Sequence, residues 1–152
     1  KVNPDLAKRT FQTVHELIQA GRVAACHDLS EGGLAVAAAE MAFAGGLGLQ
    51  MQLDQVPSEL SPDTEHGCLV LLFSESNTRF LCEVAETNQQ AFEEALAAAE
   101  IPFGMVGEVV EDDSLTISIA GKEGEAEAGG QQLVLSEKLE KLKASWQEPL
   151  KW

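Results

Sequence analysis

Val23-Ala24-Ala25-Cys26-His27-Asp28-Leu29-Ser30-Glu31-Gly32-Gly33-Leu34 is the stretch on which the fold turns. Val23 to Cys26 form a short, continuous apolar run, the polar residues His27 to Gly33 follow, and an alanine-rich segment runs from Leu34 to Ala44. That order reads as strand, tight loop and helix. Ala35, Ala37, Ala38, Ala39 and Ala42 let a helix backbone approach its neighbours closely, and Gly45-Gly46 ends it, so this is the expected buried helix.

Upstream, Asn3-Pro4-Asp5 offers a helix cap with proline at the first helical position, and Leu6, Val14, Leu17 and Ile18 recur at helical spacing up to Gly21. Downstream, Leu47, Leu49, Met51 and Leu53 alternate with Gly48, Gln50 and Gln52 as in a half-buried strand. A loop through Pro57 and Pro62 follows. Cys68 to Phe73 are apolar throughout and read as a central strand, paired as a hairpin with a second strand from Arg79 to Val84. Thr87 and Gln90 have the spacing of a capping box for a helix through Ala99. Gly104 to Val109 and Leu115 to Ile119 read as another hairpin around Glu111-Asp112-Asp113. Gly121 to Gly130 make a mobile loop, and Ser136 caps a last helix carrying Leu139, Leu142 and Trp146. The fold class is α+β, helices on a mixed sheet, with residues 1–152 forming a single domain.

Composition narrows the function. Ten Lys and Arg against 25 Asp and Glu give a net charge of −15, which repels nucleic acid and anionic membrane surfaces. Backbone N–H groups and a few cations can still hold a phosphate within an acidic protein. Cys26, Cys68 and Cys82 form no CxxC pair and lie in or beside apolar stretches, as in a reducing, cytoplasmic setting. The three His residues lack zinc-ligand spacing, and no stretch has the length of a membrane span or the layout of a signal peptide.

Two segments could carry chemistry. His27 to Gly33 lies where a helix start favours an anion, although Ser30 and Glu31 could simply cap the helix while the glycines permit close packing against the strand. Asp28 and Glu31 are hard oxygen donors for Mg²⁺ or a ribose hydroxyl, and equally plausible as loop-bonding acids. His27 reads as a hydrogen-bonded structural residue. Ser74-Glu75-Ser76-Asn77-Thr78-Arg79-Phe80 clusters hydroxyl, carboxylate, amide and guanidinium groups after the apolar run. Arg79 could grip a phosphate or pair with Glu75 or Glu83. No nucleophile with its base is identifiable, so no catalytic residue is assigned.

Together, His27-Asp28-Leu29-Ser30-Glu31-Gly32-Gly33-Leu34 with the alanine-rich helix, and Leu72-Phe73-Ser74-Glu75-Ser76-Asn77-Thr78-Arg79-Phe80, closely resemble the last domain of the phosphoribosylformylglycinamidine synthase family. The resemblance extends over nearly the whole chain, and Leu142 to Leu150 with Trp146 resembles the small form, whose glutaminase and small accessory subunit are separate chains. It implies a three-layer domain of the aminoimidazole ribonucleotide synthetase C-terminal type, with helices around a mixed sheet, preceded in the same chain by further domains. It also implies part of an ATP- and Mg²⁺-dependent ligase of purine biosynthesis, inert as an isolated domain. In the family's reaction ATP activates the formamide oxygen of formylglycinamide ribonucleotide, and ammonia from glutamine displaces the resulting phosphate ester.

By the same resemblance Asp28, Ser30, Glu31, Gly32 and Gly33 border a phosphate or nucleotide, with Ser74, Glu75, Ser76 and Arg79 across from them; any metal ligand stays unassigned. Two other readings remain: a structural domain that docks the glutaminase without touching ligand, and a selenophosphate- or thiamine-phosphate-branch relative, against which the SESNxRF segment argues. A start at Lys1 without Met fits a piece of a longer chain, and apolar surface is expected to be exposed where further domains pack.

Overall fold

The computed structural model describes residues 3–121 and 130–150. The first helix, α1 (Pro4–Gln19), starts as its sequence requires: the Asn3 side chain accepts from the N–H groups of Asp5 and Leu6, and Pro4 takes the first turn. It buries Thr10, Val14 and Leu17, while Ile18 stays exposed. Strand β1 (Ala25–Asp28) leads through Leu29 to Gly32 into α2 (Gly33–Gly45), the most enclosed helix, where Ala37 and Ala38 are fully buried. Strand β2 (Gly48–Gln52) and a 3-10 turn (Leu53–Gln55) follow.

The apolar run from Cys68 to Phe73 corrects the sequence reading, because it is helical: α3 spans Glu65–Phe73. Thr64 caps it, its hydroxyl accepting from the Gly67 N–H at 3.0 Å. A six-residue apolar run carries no periodicity that separates buried strand from buried helix. The deciding signal lay just upstream, in Thr64-Glu65, a cap followed by an acid in the first turn.

With that run removed from the sheet, the expected hairpin with Arg79–Val84 cannot form. Strand β3 (Phe80–Glu83) pairs antiparallel with β1 instead, placing Cys26 opposite Cys82 and Asp28 opposite Phe80. Helix α4 (Glu86–Ala98) begins at Ala85 without a side-chain cap, so Thr87 and Gln90 form no capping box; Gln90 donates to Glu94 one turn on. Strands β4 (Gly107–Val110) and β5 (Ser114–Ala120) are not a hairpin, because β2 lies between them, antiparallel to β4 and parallel to β5. Strand β6 (Gln131–Lys138) completes the order β4-β2-β5-β6. Ser136 belongs to β6, opposite Thr116, and Lys138 is the cap residue of α5 (Leu139–Gln147). Of the glycine-rich loop expected between Gly121 and Gly130, residues 122–129 lie outside the described residues.

The architecture is therefore α+β, with a mixed four-stranded sheet and a separate two-stranded ribbon. The main core joins α2, α3 and the sheet through Leu34, Ala38, Met51, Leu53, Leu72 and Ile117. A smaller core of Leu17, Leu96 and Ile101 fastens α1 to α4, and Arg9 donates to the Ala99 carbonyl at the C-terminal end of α4. Leu69 and Phe73 leave half their surface exposed although α3 is apolar nearly all round, and Leu133 on β6 is 60% exposed.

Candidate functional site

The two candidate segments meet at the start of α2. Leu29 donates its N–H to the Arg79 carbonyl at 3.1 Å, which ties the end of β1 to the turn before β3. Gly32, the residue preceding α2, donates its N–H to Glu75 Oε1 at 2.9 Å. The capping acid is thus Glu75, from 43 residues downstream. Neither Ser30 nor Glu31 supplies that bond to Gly32; the Ser30 hydroxyl donates instead to the Asp28 carboxylate. A carboxylate at a helix N-terminus stands where an anionic ligand group would stand, stabilised by the same free N–H groups and dipole.

Both glycines have positive φ, 71° at Gly32 and 67° at Gly33. A Cβ on Gly32 would fall on the Val36 side chain, and one on Gly33 would lie 2.8 Å from both the Leu72 carbonyl oxygen and the Phe73 carbonyl carbon. Gly33 therefore permits close packing against the end of α3 rather than against a strand, whereas Gly32 leaves room for the Val36 side chain of its own helix.

Asp28 is exposed, and the Ser30 hydroxyl holds its carboxyl below the ordinary carboxylate range, so it is ionised at neutral pH. Arg79 is half-buried, and burial lowers its pKa. Its guanidinium donates to the Ser74 hydroxyl at 3.0 Å and to the Ser74 carbonyl at 3.4 Å, folding it onto its own turn. Thr78, beside it, has φ 69°, a strained conformation for a β-branched residue. Ser76 and Glu31 are exposed. A cleft of about 1020 Å³ opens between the two sheets, with Leu34, Leu49, Met51, Phe80, Phe92 and Ile101 in its walls. Of the candidate residues only Arg79 reaches it. Among the described residues, no three His, Cys, Asp or Glu side chains converge as a metal site.

Sequence reasoning missed one network. His27 Nδ1 lies 2.6 Å from the Asp28 carbonyl oxygen and Nε2 lies 3.0 Å from Glu40 Oε2, while Trp146 donates its indole N–H to Glu40 Oε1 at 2.8 Å. β1, α2 and α5 are joined through one carboxylate. Glu40 was visible as the acid inside an otherwise apolar helix, a position where a charge requires partners. Both His27 nitrogens face acceptors, so the imidazolium is favoured and the pKa is raised, by the Asp28 carbonyl first and Glu40 next, against partial desolvation. That stabilisation is full below the unfolded-state value of about 6.5 and is lost as pH rises through the higher folded-state value. The melting-temperature gap between wild type and His27→Gln is expected to be widest near about pH 6 and to narrow as pH rises through the raised folded-state value. A gap that widens with pH would contradict these assignments.

These features define a class: an α+β domain in which a glycine-paired strand–loop–helix is locked to a serine- and glutamate-bearing turn. The model of the AIR synthase related protein, C-terminal domain, matches residues 1–120, and the chain belongs to that family. Phosphoribosylformylglycinamidine synthase subunit PurL of Deinococcus radiodurans is 40% identical over 150 residues, covering 99% of this chain and 18% of that protein. The PurL subunit of Rhodospirillum rubrum is 45% identical over 105 residues, 68% of this chain and 13% of that protein. The chain thus spans a minor part of the length of these relatives. Among solved structures, T. maritima PurL complexed with FGAR superposes with a TM-score of 0.70 at 26% identity, over 90% of this chain and 20% of that one. T. maritima PurL complexed with ATP gives 0.69 at 26% identity, over 89% and 21%. The hydrogenase maturation protein HypE in complex with ATP, 19% identical with a TM-score of 0.59 over 86% of this chain and 41% of that one, shares the fold.

Proposed function

We propose that this chain is the last domain of an ATP-dependent phosphoribosylformylglycinamidine synthase, which converts formylglycinamide ribonucleotide and glutamine-derived ammonia to formylglycinamidine ribonucleotide in purine biosynthesis. The observation that carries this reading is the 40% identity to the Deinococcus radiodurans PurL subunit over 99% of the chain. The solved relatives complexed with ATP, ADP and FGAR support a nucleotide and that substrate as ligands of the whole enzyme. Catalysis then needs the preceding domains, with the glutaminase and small accessory subunits as further partners and the cytoplasm as location. The exposed faces of α3 and β6 suit such neighbours.

Within this domain, Asp28, Ser30, Glu31, Gly32, Gly33, Ser74, Glu75, Ser76 and Arg79 would border the nucleotide. Asp28, Glu31 and Glu75 outnumber Arg79, so a bare polyphosphate is repelled and a cation-bridged one is favoured. Mg²⁺ suits such a site because it binds through one or two carboxylates together with substrate phosphates, and the exposed Asp28 carboxylate fits that role. Bound there, Mg²⁺ would neutralise phosphate charge.

A second reading, a structural domain that supports and docks its neighbours, draws on Glu75: the start of α2 is already capped by the chain's own carboxylate. Asp28→Ala separates the two readings because the Asp28 side chain is exposed, so its loss forfeits little packing. In the assembled synthase, a fall of about tenfold or more in kcat/KM for ATP at unchanged melting temperature, the loss of roughly one charge-assisted contact, supports the nucleotide-bordering role. Unchanged kinetics would leave the docking role. Calorimetry of the 152-residue chain with Mg·ADP, and with ADP in chelator, tests whether binding is metal-bridged.

A further inference from the structure

Cys26 and Cys82 are direct register partners on β1 and β3, with their sulfurs 3.6 Å apart and both thiols free. The Leu29 N–H donates to the Arg79 carbonyl, and continuing the register one residue past Asp28 and Phe80 makes those two residues opposite each other. Hydrogen-bonded and non-hydrogen-bonded pairs alternate along an antiparallel ladder, so three residues back Cys26 and Cys82 form a non-hydrogen-bonded pair, the closer kind, with Cα atoms about 4.5 Å apart. That separation lies inside the range a disulfide spans, and modest side-chain rotation brings the sulfurs to the bonding distance of about 2.05 Å. Cys26 is exposed, whereas Cys82 is partly covered behind it. The third cysteine, Cys68, sits apart on α3.

We propose that Cys26 and Cys82 are a redox modification site, converted to a reversible cross-strand disulfide by exchange with a low-molecular-weight disulfide of the glutathione class. Cys26 attacks first: its thiolate displaces one sulfur of the oxidant, forming a mixed disulfide and releasing one small thiol. Cys82 then attacks Cys26 Sγ and expels the second small thiol. The two protein thiol protons end on the two released thiols, and the two electrons lost by the cysteines reduce the oxidant. The environment suits this order. The S–H of Cys82 donates to Cys26 and lowers its pKa to about 7, so a large fraction is thiolate at neutral pH. Cys82 is raised, chiefly by that same bond. Capping Cys26 removes the anion that holds the Cys82 proton and frees Cys82 to resolve the adduct. Under a reducing poise the pair stays dithiol, so the bridge forms only on oxidation. It would staple β1 to β3 between the ends that lead into the Asp28 loop and out of the Arg79 turn.

The test is anaerobic incubation of the 152-residue chain with oxidised glutathione at neutral pH, followed by intact mass and peptide mapping. The expected product has lost two hydrogens, carries a Cys26–Cys82 bridge and retains no glutathione, and its melting temperature rises by about 5 °C or more. Cys82→Ser should hold a stable glutathione adduct on Cys26, and Cys26→Ser should slow oxidation at least about tenfold. A wild-type adduct on Cys26 that never resolves, or oxidation of Cys68 at a rate comparable to Cys26, would overturn the proposal. Should either serine variant fail to fold by circular dichroism, the wild-type peptide map alone decides.

Discussion

Replacing Gly33 with alanine is expected to cost about 3 kcal/mol of stability, a large share of the roughly 5–15 kcal/mol a domain possesses. Two physical costs combine. The φ of 67° places an alanine in the left-handed region, worth about 1–2 kcal/mol. The added Cβ then meets the Leu72 and Phe73 backbone at 2.8 Å, and backbone at the end of a packed helix can yield only by moving α3 off α2, an overpacking cost of about 1–3 kcal/mol. Gly21→Ala isolates the first cost, because Gly21 has φ 69° and nothing within 4 Å of its would-be Cβ. Urea denaturation of both variants should place Gly33→Ala at least about 1 kcal/mol below Gly21→Ala. Equal losses would mean that α2 and α3 do not approach as closely as described.

Ile117→Ala should be as damaging for another reason. Ile117 is fully buried at the centre of β5, opposite Met51 on one side and Leu135 on the other. Removing its outer carbons forfeits their transfer free energy and leaves a cavity between two strands that cannot close together without breaking their ladders, for a loss of about 3–4 kcal/mol. Leu133→Ala, on the exposed side of β6, should stay within about 0.5 kcal/mol of wild type. A denaturant midpoint unchanged by Ile117→Ala would refute the central place of β5.

The elements legible in the sequence were those whose signals are local. The Asn3-Pro4 cap, the small-residue helix closed by Gly45-Gly46 and the alternation through β2 each state their conformation within a few residues. The two polar segments were legible by composition, and the structure does bring them together through Gly32 and Glu75. Errors arose where a signal was ambiguous or a partner remote. The run ending at Phe73 had no periodicity to read, and assigning it to the sheet forced a false partner on β3. That one error hid the Cys26–Cys82 pair, whose contact exists only because β3 pairs with β1.

What this sequence determined by itself was its acidity, its α+β mixture of helices and strands, its buried alanine helix and the two motifs that carry the family resemblance, because each is written in composition or in short-range spacing. Tertiary structure alone decided the rest. It set which strands are neighbours, it gave Glu75 the cap of α2 in place of Ser30 or Glu31, and it joined His27 and Trp146 through Glu40. The physical reason is common to all three. A hydrogen bond between residues 43 or 106 positions apart leaves no periodic trace, since its energy depends on where packing places the ends and not on what lies between them.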